Sequence, residues 1–482
     1  MPLDPVTCYR AMRARDARFD GRFFVGVSST RIYCRPVCTV RPPKRENCSF
    51  FPSAAAAESA GYRPCLRCRP ELAPGNASID ATSRLAQAAA ALIEDGSLNG
   101  AGVEGIAARL GVSDRHLRRA FAGEFGVAPI AYAQTQRLLL AKRLLTDTSM
   151  PITEVALASG FGSVRRFNSL FKSRYRLKPI QLRQSRRVAR QAAGIPGDAL
   201  HFQLGYRPPY DWPALLAFLD ARSVAGVEAV EDGVYRRTVR VKLGSREQAG
   251  WVEVAPCARR PALRVTLAAS LAPAVSLVLT RLKSLMDLAC HPLEVAETLG
   301  SLAARNPGLR VPGAFDGFEV AVRAILGQQV SVAGARTLAG RFAAAFGTPV
   351  ETPFSSLTVL FPEPDRIARL APEDVARLGL PGARGRSVVM LAQALDQGLE
   401  LLPNADIDAT LVRLRSLPGI GEWTAQYIAM RALAWPDAFP HTDLGVMRAL
   451  RERSPKPVLA AGEAWRPWRA YAVMHLWQSL TS

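Results

Sequence analysis

The chain changes its hydrophobic rhythm several times, and each change marks a segment. Between residues 80 and 190, apolar positions recur every three or four residues in short bursts: Ile106, Ala107, Leu110 and Leu117, then Ile152, Val155, Ala156 and Phe161. Gly111 and Gly160 interrupt the bursts, and Ser113 and Ser163, good helix N-caps, stand before the restart. This predicts two units, each a short helix, a glycine turn and a basic second helix. Residues 198 to 305 mix short strands with helices, and from 306 the period is helical again. There Leu411 to Leu417 reads as a helix ended by Pro418 and Glu422 to Ala434 as another, with Pro418-Gly419-Ile420-Gly421 as the hairpin between them. Pro/Gly-rich seams at Ala73-Pro74-Gly75, Gly194 to Gly197 and Asn306-Pro307-Gly308 predict four domains, at 1–75, 76–193, 198–305 and 306–482. The fold class expected is multidomain and mainly α.

Charge adds a partner to this picture. The 482 residues carry 62 Lys/Arg and 41 Asp/Glu, a net charge of +21, which points to a polyanion. Residues 1 to 190 hold 31 of the basic and 14 of the acidic residues, so phosphate attraction concentrates at that end. The longest apolar stretch, Val265 to Thr280, contains Pro273 and is bounded by Arg264 and Arg281, which argues against a membrane span. The first twenty residues lack an apolar signal region, so reduced cysteines and a cytoplasmic, nucleoid-associated location are expected.

Cys34 and Cys38 are separated by three residues, and Cys65 and Cys68 by two. Two short pairs of this kind supply four thiolates to tetrahedral zinc. A closed structural zinc site, disulfides and unrelated buried thiols all fit that spacing. Arg35-Pro36 and Arg63-Pro64 favour tight turns and would make the surroundings electropositive. Cys8, Cys48, Cys257 and Cys290 lack such pairing and read as small buried hydrophobes.

The stretches GRFFVGVSSTRIYCRPVC, RENCSFF and AGYRPCLRC resemble the small α/β zinc domain of the Ada family of bacterial alkylation-response proteins, over about the first 72 residues. The resemblance implies one zinc ion held by Cys34, Cys38, Cys65 and Cys68, with Cys34 taking a methyl group from a methylphosphotriester in DNA. Zinc keeps a thiol ionised near neutral pH, so such a nucleophile needs no separate base. Methylating one of four thiolates changes the formal charge of the centre from about −2 to about −1, which lessens repulsion from phosphate. Cys34 would then be both repair nucleophile and damage switch.

In the second segment Arg115, His116, Arg118 and Arg119 are expected to face outward from one second helix, and Arg165, Arg166 and Asn168 from the other, toward phosphates and base edges in a major groove. Solvated arginines on a basic helical domain would give the same pattern. GFGSVRRFNSLFKSRYRLKP resembles the signature of AraC-type regulators, an all-α domain with paired helix-turn-helix units. That implies a transcription activator acting as a monomer on promoter DNA, with RNA polymerase as a further partner.

FQLGYRPPYDWPALLAFLDARSVAGVEAV, VPGAFDGFEVAVRAILGQQVSVAGA, LPGIGEWTAQYIAMRALAWPDAFPHTD and WRPWRAYAVMHLWQ resemble, in order, the AlkA family of 3-methyladenine DNA glycosylases. The resemblance implies an α+β domain followed by an all-α helix-hairpin-helix domain that binds double-stranded alkylated DNA. Gly419 and Gly421 let the backbone approach a phosphate at a helix N-terminus, and hairpin carbonyls in this family often hold a monovalent cation. Asp443 falls where the family has its catalytic aspartate, and Trp423, Tyr427 and Trp477 match its base-pocket aromatics. Gln329 stands where an apolar wedge would fill the gap left by a flipped base, and glutamine intercalates less favourably. Relatives that also cleave the strand carry a lysine where this chain has Trp423, so a monofunctional enzyme is expected. The Pro-Cys-His-Arg motif of the second Ada transferase is absent, so O6-methylguanine repair is not expected. The sequence therefore reads as a methylphosphotriester-sensing activator fused to an alkylbase glycosylase. The alternative is a DNA-binding regulator whose glycosylase half is inactive.

Overall fold

The computed structural model describes residues 4–480 except 17–18, 21–22, 53, 66, 69, 71–84, 87–88, 91, 94–97, 148–149, 184–198, 244–245, 259 and 404. The seams at Ala73-Pro74-Gly75 and Gly194 to Gly197 lie outside the described residues. Two compact units divide the chain, Met1–Ile195 with Leu243–Ser245, and Pro196–Lys242 with Arg246–Ser482.

The first unit opens with the helix Pro5–Ala14, started by Asp4, whose carboxylate accepts from Val6 N and Thr7 N. A four-stranded sheet follows, ordered Cys48–Phe51, Phe24–Val27, Ile32–Cys34, Arg63–Pro64. The last two strands run parallel, with Tyr33 opposite Pro64. Phe24, Tyr33 and Ala57 form the core on one side, with Phe51 and Tyr62 packed against them.

Next come the helices Leu98–Arg109, Asp114–Phe125, Pro129–Asp147, Ile152–Ala158 and Val164–Tyr175. Ser113 and Ser163 cap their helices as the pattern predicts, accepting from His116 N and Arg166 N. The turns before them use positive φ at Gly111 (69°) and Gly160 (80°). Each second helix buries an aromatic ladder. Phe121 meets Phe125 and Tyr132 at 4.6 and 5.4 Å, and Phe167 meets Phe161 and Phe171 at 5.2 and 5.5 Å.

The second unit begins with a five-stranded sheet, ordered Ala199–Gly205, Ala262–Ala268, Arg246–Pro256, Val234–Leu243, Glu228–Glu231. Its longer strands, of ten and eleven residues, exceed the short ones expected from the sequence. The rest is helical. Asn306-Pro307-Gly308 is a tight internal turn, at which Asp211 N donates to Gly308 O. Among the described residues no helix is long and apolar enough to cross a membrane.

A buried charge network ties the sheet to the helix Gly317–Leu326. Arg237 reaches Glu319 at 2.6 Å, and Arg323 reaches both Glu228 and Glu319 at 2.9 Å. Tyr235 Oη donates to Glu228 at 2.5 Å. Burial alone would raise the Glu228 carboxyl, but Arg323 and Arg237 hold it below its ordinary value. Two arginines balance two glutamates, so removing any one member strands a charge in the interior.

Candidate functional site

The parallel pairing of Ile32–Cys34 with Arg63–Pro64 brings the two cysteine pairs together. Cys34 ends one strand, and Cys65 follows the other with its N–H donating to Tyr33 O at 3.0 Å. The Sγ atoms of Cys34, Cys38, Cys65 and Cys68 lie within 4.8 Å of one another. Zinc–sulfur bonds of about 2.3 Å draw a tetrahedron with edges of about 3.8 Å, so this donor set fits one zinc ion. The thiol chemistry agrees: hydrogen bonds to Cys38 and Cys68, then burial, push Cys34 up, while hydrogen bonds from Cys34 and Cys68 draw Cys38 down to about 2. Arg35 N donates to Cys68 Sγ at 3.4 Å.

Two expectations change here. Arg35 does not supply free positive charge, because Asp20 pairs with its guanidinium. Cys8, Cys48 and Cys290 are buried, but Cys257 is only half-buried. Met12, Val25, Val27, Val40, Pro42 and Pro43 also surround a cavity of about 20 Å³ beside Cys34 and Cys38.

On the helix-turn-helix units, Arg115, Arg119, Arg165, Arg166 and Asn168 are exposed and His116 is half-buried. Arg118 is half-exposed and ion-paired. It is bound to Asp114 at 2.7 Å, one helical turn earlier, and to Glu104 at 3.2 Å. Arg165 and Arg166 line an open groove of about 490 Å³ with Gln134, Ser163 and Ser169.

In the second unit the hairpin joins the helices Ile407–Ser416 and Glu422–Arg431. The first starts earlier than predicted because Asp406 caps it, accepting from Ala409 N. The second stops at Arg431 rather than Ala434, whose φ of 51° cannot continue a helix. Gly419 has φ 78°, and a Cβ there would lie 2.2 Å from Ser387 Oγ. No side chain caps the second helix at Gly421, which leaves first-turn amides for another acceptor. Two hairpin carbonyls are already engaged, Leu417 O by Ile420 N and Gly419 O by Gln328 Nε2.

Asp443 is the N-cap of Leu444–Ala449, so Val446 N donates to Oδ1 at 2.9 Å. Two indoles fix it further. Trp423 Nε1 donates to Oδ2 at 2.7 Å and Trp477 Nε1 to Oδ1 at 2.9 Å. Gly445 packs closely beneath this arrangement, since a Cβ there would lie 3.0 Å from Asp443 Oδ1 and 3.1 Å from the Trp477 ring. Trp423 and Tyr427 are one helical turn apart and stack at 5.4 Å, and Tyr427 meets Trp477 at 6.3 Å. The structure therefore brings the four expected residues together as a half-buried aromatic box with an oriented carboxylate.

The box has a wall that the sequence reading missed. Phe218, on the helix Trp212–Asp220, stacks on Trp477 at 6.2 Å, and the Arg222 guanidinium lies 3.8 Å from the Phe218 ring centre. Arg431 donates to Tyr427 Oη at 2.8 Å. Burial would raise the Tyr427 phenol, but Arg431, Arg222 and Arg323 pull it below its ordinary value. Gln329 is exposed at φ 56°, between the exposed Val330 and the half-buried Gln328, which is held by Gly419 O and Thr424.

Family models match the chain in four places: the metal binding domain of Ada at residues 7–71, a helix-turn-helix domain at 106–185, the AlkA N-terminal domain at 201–316, and the HhH-GPD superfamily of base excision DNA repair proteins at 322–454. The chain is 38% identical over 98% of its length to a probable bifunctional transcriptional activator/DNA repair enzyme AlkA of Mycobacterium tuberculosis, covering 96% of that protein. It is 38% identical to DNA-3-methyladenine glycosylase 2 of Escherichia coli over 57% of this chain and 96% of the relative. It is also 31% identical to the bifunctional transcriptional activator/DNA repair enzyme AdaA of Bacillus subtilis, over 36% of this chain and 81% of the relative.

Proposed function

We propose, for a chain that belongs to the family of bifunctional Ada–AlkA transcriptional activators and DNA repair glycosylases, that its two units sense and remove alkylation damage by separate chemistries. The second unit excises alkylated purines of the 3-methyladenine type. A target base leaves the duplex and enters the box of Trp423, Tyr427, Trp477 and Phe218, which suits an electron-poor ring. As the N-glycosidic bond breaks, positive charge develops on the deoxyribose, and the Asp443 carboxylate stabilises it and orients the attacking water. Purines alkylated at N3 or N7 are already cationic, so they depart without a strong general acid. Trp423 offers no amine to the sugar, and the product is an abasic site. Gly419 and the uncapped helix start at Gly421 anchor a backbone phosphate, and Gln329 is the group presented to the gap in the stack.

The observation that carries this reading is Asp443, with both oxygens pinned by indole N–H groups of the box itself. Fixing the carboxylate before the charge develops avoids reorganisation during the reaction. The test is release of free base from randomly methylated duplex DNA by the wild type and by Asp443→Asn at matched DNA binding. Methylated purines from the wild type, with a loss of roughly 100- to 1,000-fold in the variant, are expected. Equal release by both would remove Asp443 from the mechanism, and no release by either would make this unit a DNA clamp.

In the first unit Cys34, Cys38, Cys65 and Cys68 would hold one zinc ion, which would keep their thiols ionised. Cys34 Sγ attacks the methyl carbon of a methylphosphotriester; the S–C bond forms, the C–O bond breaks, and the phosphodiester leaves with the electron pair. The small apolar cavity beside Cys34 suits a methyl group. The centre then repels phosphate less, and the exposed Arg115, Arg119, Arg165, Arg166 and Asn168 hold promoter DNA more tightly. Methyl transfer by Cys34→Ser from phosphotriester DNA would overturn this role.

A further inference from the structure

The loop that presents Gln329 is fastened to the hairpin by the residue before it. The helix Gly317–Leu326 ends at Gly327, and Ser331 caps the helix Val332–Phe346, accepting from Gly334 N at 3.1 Å, so the connection is short. On its near side Gly327 N donates to Arg323 O at 3.0 Å and Gln328 N to Ile325 O at 3.2 Å. Gln329 and Val330 stand exposed beyond those bonds, and Gln329 has φ 56°. A left-handed backbone at a residue with a side chain is sparsely populated and persists where its surroundings hold it.

The Gln328 amide supplies that hold. Its Nε2 donates to Gly419 O at 2.8 Å and to Thr424 Oγ1 at 2.9 Å, which uses both hydrogens of the nitrogen. Gly419 is the left-handed turn of the hairpin, and Thr424 is buried in the first turn of the helix Glu422–Arg431. Thr424 also follows Trp423, whose indole donates to Asp443. One side chain therefore joins the loop, the hairpin and the helix that carries two rings of the box.

Base extrusion gives this link a use. Taking a paired base out of the stack costs unpairing and unstacking energy, and a group inserted in the gap recovers part of it. A loop that had to be ordered at that moment would lose much of the gain to conformational entropy. Fastened to the hairpin that anchors a phosphate, the loop is ordered beforehand. A base with no partner in the opposite strand is easier to extrude and leaves no orphaned partner behind. The link thus matters more for paired lesions than for unpaired ones.

We infer that Gln328 is a positioning residue, whose amide fastens the loop of Gln329 to the phosphate-anchoring hairpin so that gripping the DNA backbone aims the group that fills the gap. The inference rests on the base-release reading above. Its test uses the full chain under single-turnover conditions with two duplexes, one with 7-methylguanine opposite cytosine and one with 7-methylguanine in a single-nucleotide bulge. Wild type, Gln328→Met, Gln329→Ala and the double variant are compared by the ratio of the paired to the unpaired rate constant. Gln328→Met keeps an unbranched side chain without its donors, and it is expected to lower the ratio roughly 10- to 100-fold, the size of losing two hydrogen bonds. A purely structural role, through a loosened hairpin, a misaimed Asp443 or a smaller folded fraction, would lower both rates together and leave the ratio alone. Because Gln328 acts through Gln329, the double variant should fall no further than Gln329→Ala. An unchanged ratio in Gln328→Met, or losses that multiply in the double variant, would overturn the inference. So would a wild-type ratio in Gln329→Ala, since the loop would then aim nothing into the gap. A wild type that releases base from neither duplex would instead overturn the base-release reading.

Discussion

The four-cysteine centre and the Asp443 box differ in how much of the chain each needs. Cys34, Cys38, Cys65 and Cys68 come from one stretch, residues 34–68, and local strand pairing converges them. The box draws on Phe218, Trp423, Tyr427, Asp443 and Trp477, which come from three helices and the N-cap of a fourth, spread over more than 200 residues of the chain. The first has a small core, and a cation can supply most of its cohesion. The second depends on packing and on the Glu228–Arg237–Glu319–Arg323 network that holds the sheet against the helix Gly317–Leu326.

The sharpest way to break the comparison is to remove the metal. Chelation, or Cys38→Ala, is expected to reduce zinc from one per chain to none and to cost the first unit on the order of 10 kcal/mol of folding free energy. Base release by the second unit should be untouched. Metal analysis with circular dichroism checks the first point, and loss of base release on chelation would show that the sites are not independent.

The reciprocal experiment strikes the distant support of the box. Glu319→Gln leaves Arg237 and Arg323 undercompensated and is expected to destabilise the second unit by about 3–5 kcal/mol. Because all seven tryptophans lie beyond residue 196, their fluorescence in a denaturant titration reports this unit alone. A midpoint equal to that of the wild type would mean that the network is dispensable.

Acid provides a milder lever. His475 is buried on the helix that carries Trp477, and burial lowers its pKa to about 4. An unfolded chain binds this proton near pH 6.5, so stability is full above that value and declines as pH falls toward 4, by up to about 3 kcal/mol. His475→Leu should flatten this part of the tryptophan-detected profile, and an unaltered slope would assign the acid sensitivity elsewhere. The smallest change expected is that of Trp477→Phe, which keeps a ring but loses the N–H donor to Asp443. A hydrogen bond to a charged group contributes about 1.5–3 kcal/mol, so the rate constant for 7-methylguanine release should fall roughly 10- to 100-fold.

These contrasts follow what was legible along the chain. Ser113 and Ser163 as caps, Gly111 and Gly160 as turns, and the two cysteine pairs were readable because each rests on neighbours a few residues away. Arg118 keeps its outward place, and its ion pair with Glu104 was not legible because that partner lies on the preceding helix. Arg35 was misread because Asp20 lies across a loop. Trp423, Tyr427, Asp443 and Trp477 came from family resemblance rather than from periodicity, under which they are ordinary core and turn residues. Phe218 and Arg222 had only the apolar spacing of a short helix as a signal.

The sequence by itself determined the order of the segments, the spacing of the metal ligands and the concentration of positive charge near the N-terminal end, since each is a local or additive property. Only the tertiary structure decided which arginines are tied up in ion pairs, how Asp443 is aimed and what completes the wall of its box. Those depend on long-range pairs whose energies exist only once water has been excluded between elements distant in the chain.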